Sequence, residues 1–149
     1  MLHCLKVMKI VGYITGPISS CEQSNAGVTS WTNITSLPIA LYDPAMVTLV
    51  GKAFVFGGVN SGSVTQTSVS MYDGVSVWVA KAAMSPGRFG HAALALDDDR
   101  ALVCGGHASG TYVSTCAIYT ASANTWTTAP AMAQARYGFN LVMSEGMWH

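Results

Sequence analysis

Three tryptophans set a period in this chain. Trp31, Trp78 and Trp126 stand 47 and 48 residues apart, each in a short small-polar segment, "TSWTNI", "SVWVAK" and "NTWTTA". Other residues keep the same interval. The diglycines Gly57-Gly58 in "AFVFGGVNSG" and Gly105-Gly106 in "ALVCGGHASG" are 48 residues apart. Tyr72 and Tyr119 precede their tryptophans by six and seven residues, and Arg88 and Arg136 follow theirs by ten, opening "RFGHAALAL" and "RYGFNLVMS". Several residue types recurring at one interval mean that one structural unit is repeated, and the fold must be an array of such units.

Each unit reads as Arg-aromatic-Gly, an alternating strand, a turn, an apolar strand ending in Gly-Gly, a polar loop, a strand carrying Tyr, and then Trp. Runs such as "AMVTLV", "KAFVF", "TSVSMY", "HAALAL", "RALVC" and "STCAIY" show two-residue alternation or short apolar blocks, with Gly, Asp or Ser between them. No stretch carries a convincing helical stripe. Four short strands in about 48 residues fit one blade of an all-β propeller, a meander packed face to face with its neighbours. The glycines then mark where the second strand comes so close to an adjoining blade that a side chain would collide.

These residues resemble the kelch-repeat family, whose blade signature is a diglycine, then a Tyr, then a Trp about six residues on. Gly57, Gly58, Tyr72 and Trp78 fit it once, and Gly105, Gly106, Tyr119 and Trp126 fit it again, while Arg88 with His91 looks like the family's Arg-x-x-His. The resemblance implies a kelch-type β-propeller. The first copy is degraded: "KVMKIVGY" keeps only Gly12, Asn25 stands where Tyr is expected and Leu41 where Arg is expected, with Trp31 holding the frame. The whole chain, 1–149, reads as one kelch-repeat region. Its blade-equivalents run approximately over 6–40, 41–87 and 88–135, followed by a final inner strand over 136–146.

About three blades do not make a wheel. Closed propellers have four to eight blades, or roughly 190 to 390 residues at this interval. A four-stranded blade presents roughly 300 Å² per face, and leaving one face wet forgoes on the order of 7 kcal/mol. The expectation is either a homodimer completing a six-bladed ring, each copy lending its last strand, or a chain that is part of a longer one.

Composition agrees with a heavily covered surface, since half the residues are hydrophobic and only 9% are charged. Seven basic and seven acidic side chains cancel without a Lys/Arg cluster, which argues against nucleic acid. Lys6 and Lys9 interrupt the apolar N-terminal segment, so neither a signal peptide nor a membrane span is expected and the chain reads as soluble and cytoplasmic. In that compartment Cys4, Cys21, Cys104 and Cys116 are expected as reduced packing thiols, although hairpin pairing brings Cys104 near Cys116. One opposing signal is Asn33-Ile34-Thr35, a glycosylation acceptor in a secreted chain.

The loops from the fourth strand of one blade to the first of the next, and from second to third, emerge on one face. That face gathers Arg88, Phe89, His91, Arg136 and Tyr137, with Asn60, His107 and Tyr112 from "VNSGSVTQ" and "HASGTYV". Arg, Tyr and His on loops of a rigid frame suit protein recognition. Arg88 and Arg136 carry a second reading, bonding loop carbonyls between blades. His91 reads as a packed, hydrogen-bonded histidine, and the repeat tyrosines and tryptophans as core. "LDDDR", residues 96–100, reads as a solvated hairpin turn rather than a metal site. No nucleophile, base and orienting group converge in the sequence, so no catalytic residue, cofactor or metal is expected. The reading is a non-catalytic protein-protein interaction scaffold with a partner of unknown identity. The alternative is a fragment or paralogue of a kelch-like propeller enzyme, of the copper oxidase or sugar-acid epimerase type, acting on carbohydrate.

Overall fold

A computed structural model describes residues 8–10, 17–25 and 27–144. Among these every regular element is a strand, and no helix is long and apolar enough to cross a membrane. The first sheet has three antiparallel strands in the order β1 (Met8–Ile10), β2 (Cys21–Ser24), β3 (Trp31–Ile34). The second is a four-stranded meander of β4 (Ala45–Leu49), β5 (Lys52–Phe56), β6 (Val69–Tyr72) and β7 (Trp78–Lys81). The third repeats it with β8 (Ala92–Ala95), β9 (Arg100–Cys104), β12 (Cys116–Thr120) and β13 (Thr125–Ala129). Between β9 and β12 the polar loop folds into a small hairpin, β10 (His107–Ala108) with β11 (Thr111–Tyr112).

The sheets stack through their faces. Phe54, Phe56 and Val69 of the second sheet pack on Ala101, Val103 and Tyr119 of the third, with Leu49 and Met84 completing a buried cluster. A second cluster joins Cys21 and Leu37 to Leu41, Ala53, Val55, Tyr72 and Trp78, so the middle sheet is covered on both faces. Alternation along each strand produces this result, because residues two apart in β5 share a face: Ala53 and Val55 point to the first sheet, Phe54 and Phe56 to the third.

The diglycines make the junctions. The amide of Gly58 donates to the carbonyl of Arg88 at 2.9 Å, and that of Gly106 to the carbonyl of Arg136 at 2.7 Å, so each bond reaches the first residue of the following unit. Gly57 and Gly105 hold φ of 57° and 66°, the left-handed region. A Cβ on Gly57 would strike the Arg88 carbonyl, and one on Gly105 would lie 2.8 Å from the Arg136 carbonyl. Any other residue there is both strained and excluded.

The indoles tie each unit to the preceding one. Trp78 Nε1 donates to the Thr35 carbonyl at 2.8 Å, and Trp126 Nε1 to the Ala82 carbonyl at 2.9 Å. Trp78 is buried and Trp126 half-buried, whereas Trp31 is 43% exposed. The expectation that Trp31 is core is corrected, because the described residues hold no preceding sheet to cover it.

Two further expectations fail. Residues 136–144, the described part of the expected final inner strand, belong to no strand, and Val142 and Met143 in it are exposed. Cys104 and Cys116 are not reduced thiols but are joined in a disulfide. They sit directly opposite one another on β9 and β12, with Cα atoms 4.2 Å apart, the close approach of a directly opposed cross-strand pair. Cys21 is a buried free thiol, raised above its ordinary pKa by that burial, and Cys4 lies outside the described residues. The acidic cluster is the expected turn. Asp97 Oδ1 accepts from the Asp99 and Arg100 amides, and Asp97 pairs with the Arg100 guanidinium at 2.7 Å.

Candidate functional site

The loops entering the second and third units run side by side. Tyr42 exchanges backbone hydrogen bonds with Val59, and one unit later Phe89 does the same with His107. The Gly138 amide donates to the Gly90 carbonyl at 2.8 Å, and the Gly90 amide to the Asp43 carbonyl at 2.9 Å. Asp43, Gly90 and Gly138 occupy one repeat position, all with positive φ, of 46°, 61° and 63°. Asp is among the few residues besides Gly that tolerate this region.

On this frame four rings close a circuit. Phe89 lies 5.0 Å from His107, His107 5.4 Å from Tyr112, Tyr112 6.0 Å from Tyr137, and Tyr137 5.7 Å from Phe89, between ring centroids. Three of the four contacts are either edge-on (80–81°) or markedly tilted (55°), arrangements that aromatic quadrupoles favour. Tyr112 is 64% exposed and Tyr137 43%, while Phe89 and His107 are half-buried beneath them. Tyr137 lies over Gly90, where any Cβ would meet its ring. Its hydroxyl donates to Asp43 Oδ2 at 2.6 Å, and that bond, with burial, pushes the phenol pKa up to about 12. The hydroxyl is therefore a neutral donor at any physiological pH.

Beside Tyr137 opens a cavity of about 310 Å³, lined by Asp43, Pro44, Gly90, His91, Tyr137, Gly138, Phe139 and Asn140. Asp43 was not among the residues expected at the site. The signal available in the sequence is that it stands where the later units have Gly90 and Gly138.

The remaining predicted residues do not join the circuit. Arg88 is 2% exposed, and its Nη1 donates to the carbonyls of Gly105 at 3.1 Å and Thr115 at 2.9 Å. It holds the ends of two strands together, so of its two readings burial supports the structural one, and its placement at the surface is corrected. Burial pulls its pKa below the ordinary value. Arg136, one repeat on, is exposed, and its guanidinium has no partner among the described residues. His91 is buried, as expected of a packed histidine. Neither ring nitrogen forms a well-aligned hydrogen bond among the described residues, and only the Phe56 backbone interacts weakly with the ring. Burial, reinforced by the Arg88 charge, lowers its pKa to about 3, which keeps the ring neutral. Asn60 organises its own loop, its Oδ1 accepting from the amides of Gly62 and Val64, both at 3.0 Å.

No group of three or more His, Cys, Asp or Glu converges among the described residues. The site presents phenols, an imidazole and a carboxylate on a fixed backbone, suited to stacking and hydrogen bonding. The molecule is thus an all-β array of antiparallel sheets with an aromatic patch on its loop face. No family model matches the chain, and no curated protein matches it.

Proposed function

We propose that the sheets are blades of a kelch-type propeller and that the chain is a non-catalytic scaffold binding a protein through the Phe89, His107, Tyr112 and Tyr137 patch. The observation that carries this reading is the exposed pair Tyr112 and Tyr137, braced by two half-buried rings and by Asp43. Large, pre-positioned tyrosines gain contact area at little cost in conformational entropy, as anchor residues of interfaces do. Phe89 and His107 act as the floor, and Arg88, His91 and Asn60 as supports.

The test is co-precipitation with the full chain and with the double variant Tyr112→Ala, Tyr137→Ala. A protein partner should be retained by the former and reduced at least tenfold with the latter. Retention unchanged in the double variant would refute the patch as the contact surface. A second reading, carbohydrate binding, draws on the cavity that places Asp43 and Asn140 beside Tyr137. Calorimetric binding of simple sugars, lost on Tyr137→Ala, would favour it instead.

The disulfide bears on compartment. Disulfides persist in oxidising surroundings, so the Cys104–Cys116 bond moves the proposed location from the cytoplasm to the secretory route or cell exterior. The exposed Asn33, in an Asn-Ile-Thr triplet on β3, supports the same reading.

A further inference from the structure

The contacts between neighbouring sheets are made by groups that recur one interval apart, and at the two flanks the same groups meet no counterpart among the described residues. On the flank of the third sheet, Arg136 repeats Arg88. Arg88 is buried, bonded to the carbonyls of Gly105 and Thr115 in the unit that it opens, whereas Arg136 is exposed without a partner among the described residues. Val142 and Met143 repeat Leu94 and Ala95, which are half-buried in β8, yet are 82% and 60% exposed. The outward row of this sheet is apolar: Leu94 pairs with Leu102 and Leu102 with Ile118. In the middle sheet the corresponding positions, Phe54 and Met71, pack on the third sheet.

The other flank lacks the complementary parts. The first sheet has β1, β2 and β3 but, among the described residues, no inner strand beside β1 such as β4 supplies to β5. Trp31 stands at the position from which Trp78 and Trp126 reach back to Thr35 and Ala82, and it is exposed. The carbonyl one interval beyond Ala82 belongs to Pro130, on the third unit. Ser68 stands one interval before Thr115, and Ser20, immediately before β2 of the first sheet, one interval before Ser68.

We infer that the two flanks are made for each other, and that a second copy of this chain docks its first sheet onto the third sheet of the first, with a two-fold axis closing a ring of six sheets. Residues 140–143 of each copy pair with β1 of the other. Arg136 donates to the Ser20 carbonyl of the partner subunit, and Trp31 donates to the Pro130 carbonyl of the partner subunit. A sheet face of roughly 300 Å² on each side of two identical interfaces buries about 1,200 Å², within the range of stable, specific association. Closed two-fold symmetry lets both interfaces form at once, so the second adds to the first without a further loss of translational freedom.

Light scattering of the full chain at micromolar concentration should give twice the 15.6 kDa chain mass. A monomer throughout that range, or an open series of higher multimers, overturns the closed pair. Arg136→Ala, at an exposed position that leaves the fold intact, should weaken the pair about tenfold or more, as loss of a charged hydrogen bond does. An unchanged association overturns the docking geometry. Independently, dilution should red-shift the tryptophan emission of the full chain, and Trp31→Phe should remove most of that shift. Persistence of the whole shift in Trp31→Phe overturns the placement of the indole.

Discussion

At the scale of single residues, repetition in the sequence proved a good guide to position and a poor one to environment. Arg88 and Arg136 are identical by spacing, yet one is buried and bonded to carbonyls at two strand ends while the other faces water. Trp31 and Trp78 differ in the same way, because what covers a repeat residue belongs to the neighbouring unit rather than to its own segment. The His91 ring gives a measurable consequence. Its folded pKa of about 3 lies below the ordinary 6.5, so between those values the unfolded chain binds a proton that the folded chain does not. Stability is therefore full above pH 6.5 and falls as the pH drops toward 3, by a little over 1 kcal/mol per pH unit, about one proton's worth. Chemical denaturation of the full chain at pH 7 and pH 5 should show this loss, and His91→Leu should flatten it. An equal slope in the variant would place the titrating group elsewhere.

Among the elements, strands and turns were legible because period-two alternation and glycine punctuation are local signals. "LDDDR" folded as the turn that its composition announced. The last segment was not legible. "RYGFNLVMS" has the alternation of β8, but a strand also needs a neighbour to bond, and beyond the Arg136 and Gly138 contacts residues 139–144 pair with no strand among the described residues. The N-terminal residues point to a reducing compartment and so to free thiols at Cys104 and Cys116, whereas the strand register places the two opposite each other. They replace Phe56 and Val69, the apolar cross-strand pair at the same place in the middle sheet. A bond closing a loop of 12 residues stabilises by about 2–3 kcal/mol in the chain-entropy account. Reductant should lower the denaturation midpoint of the full chain accordingly and leave that of a Cys104→Val, Cys116→Val variant unmoved. A midpoint indifferent to reductant in both would show that the bond contributes nothing.

For the whole molecule, stability is a sum over neighbours, and the middle sheet has two while each outer sheet has one among the described residues. Amides of β5 and β6 should exchange with solvent slowest, those of β9 and β12 faster, and those of the first sheet fastest, since it has only three short strands. Uniform protection across the three sheets would contradict this gradient. The aromatic patch is built on the loops of the third unit and the segment that follows it, and is tied to the second unit through the Tyr137–Asp43 bond.

The second amide of each diglycine reaches the carbonyl of the arginine that opens the following unit, so the bonding pattern carries no record of how many intervals came before. A tandem duplication of one such stretch brings its own glycines, arginine and indole and finds every new contact already provided. A single inserted residue in β9, by contrast, would turn its inward side chains outward. Copy number is thus the cheap evolutionary variable in this architecture, and strand length the costly one.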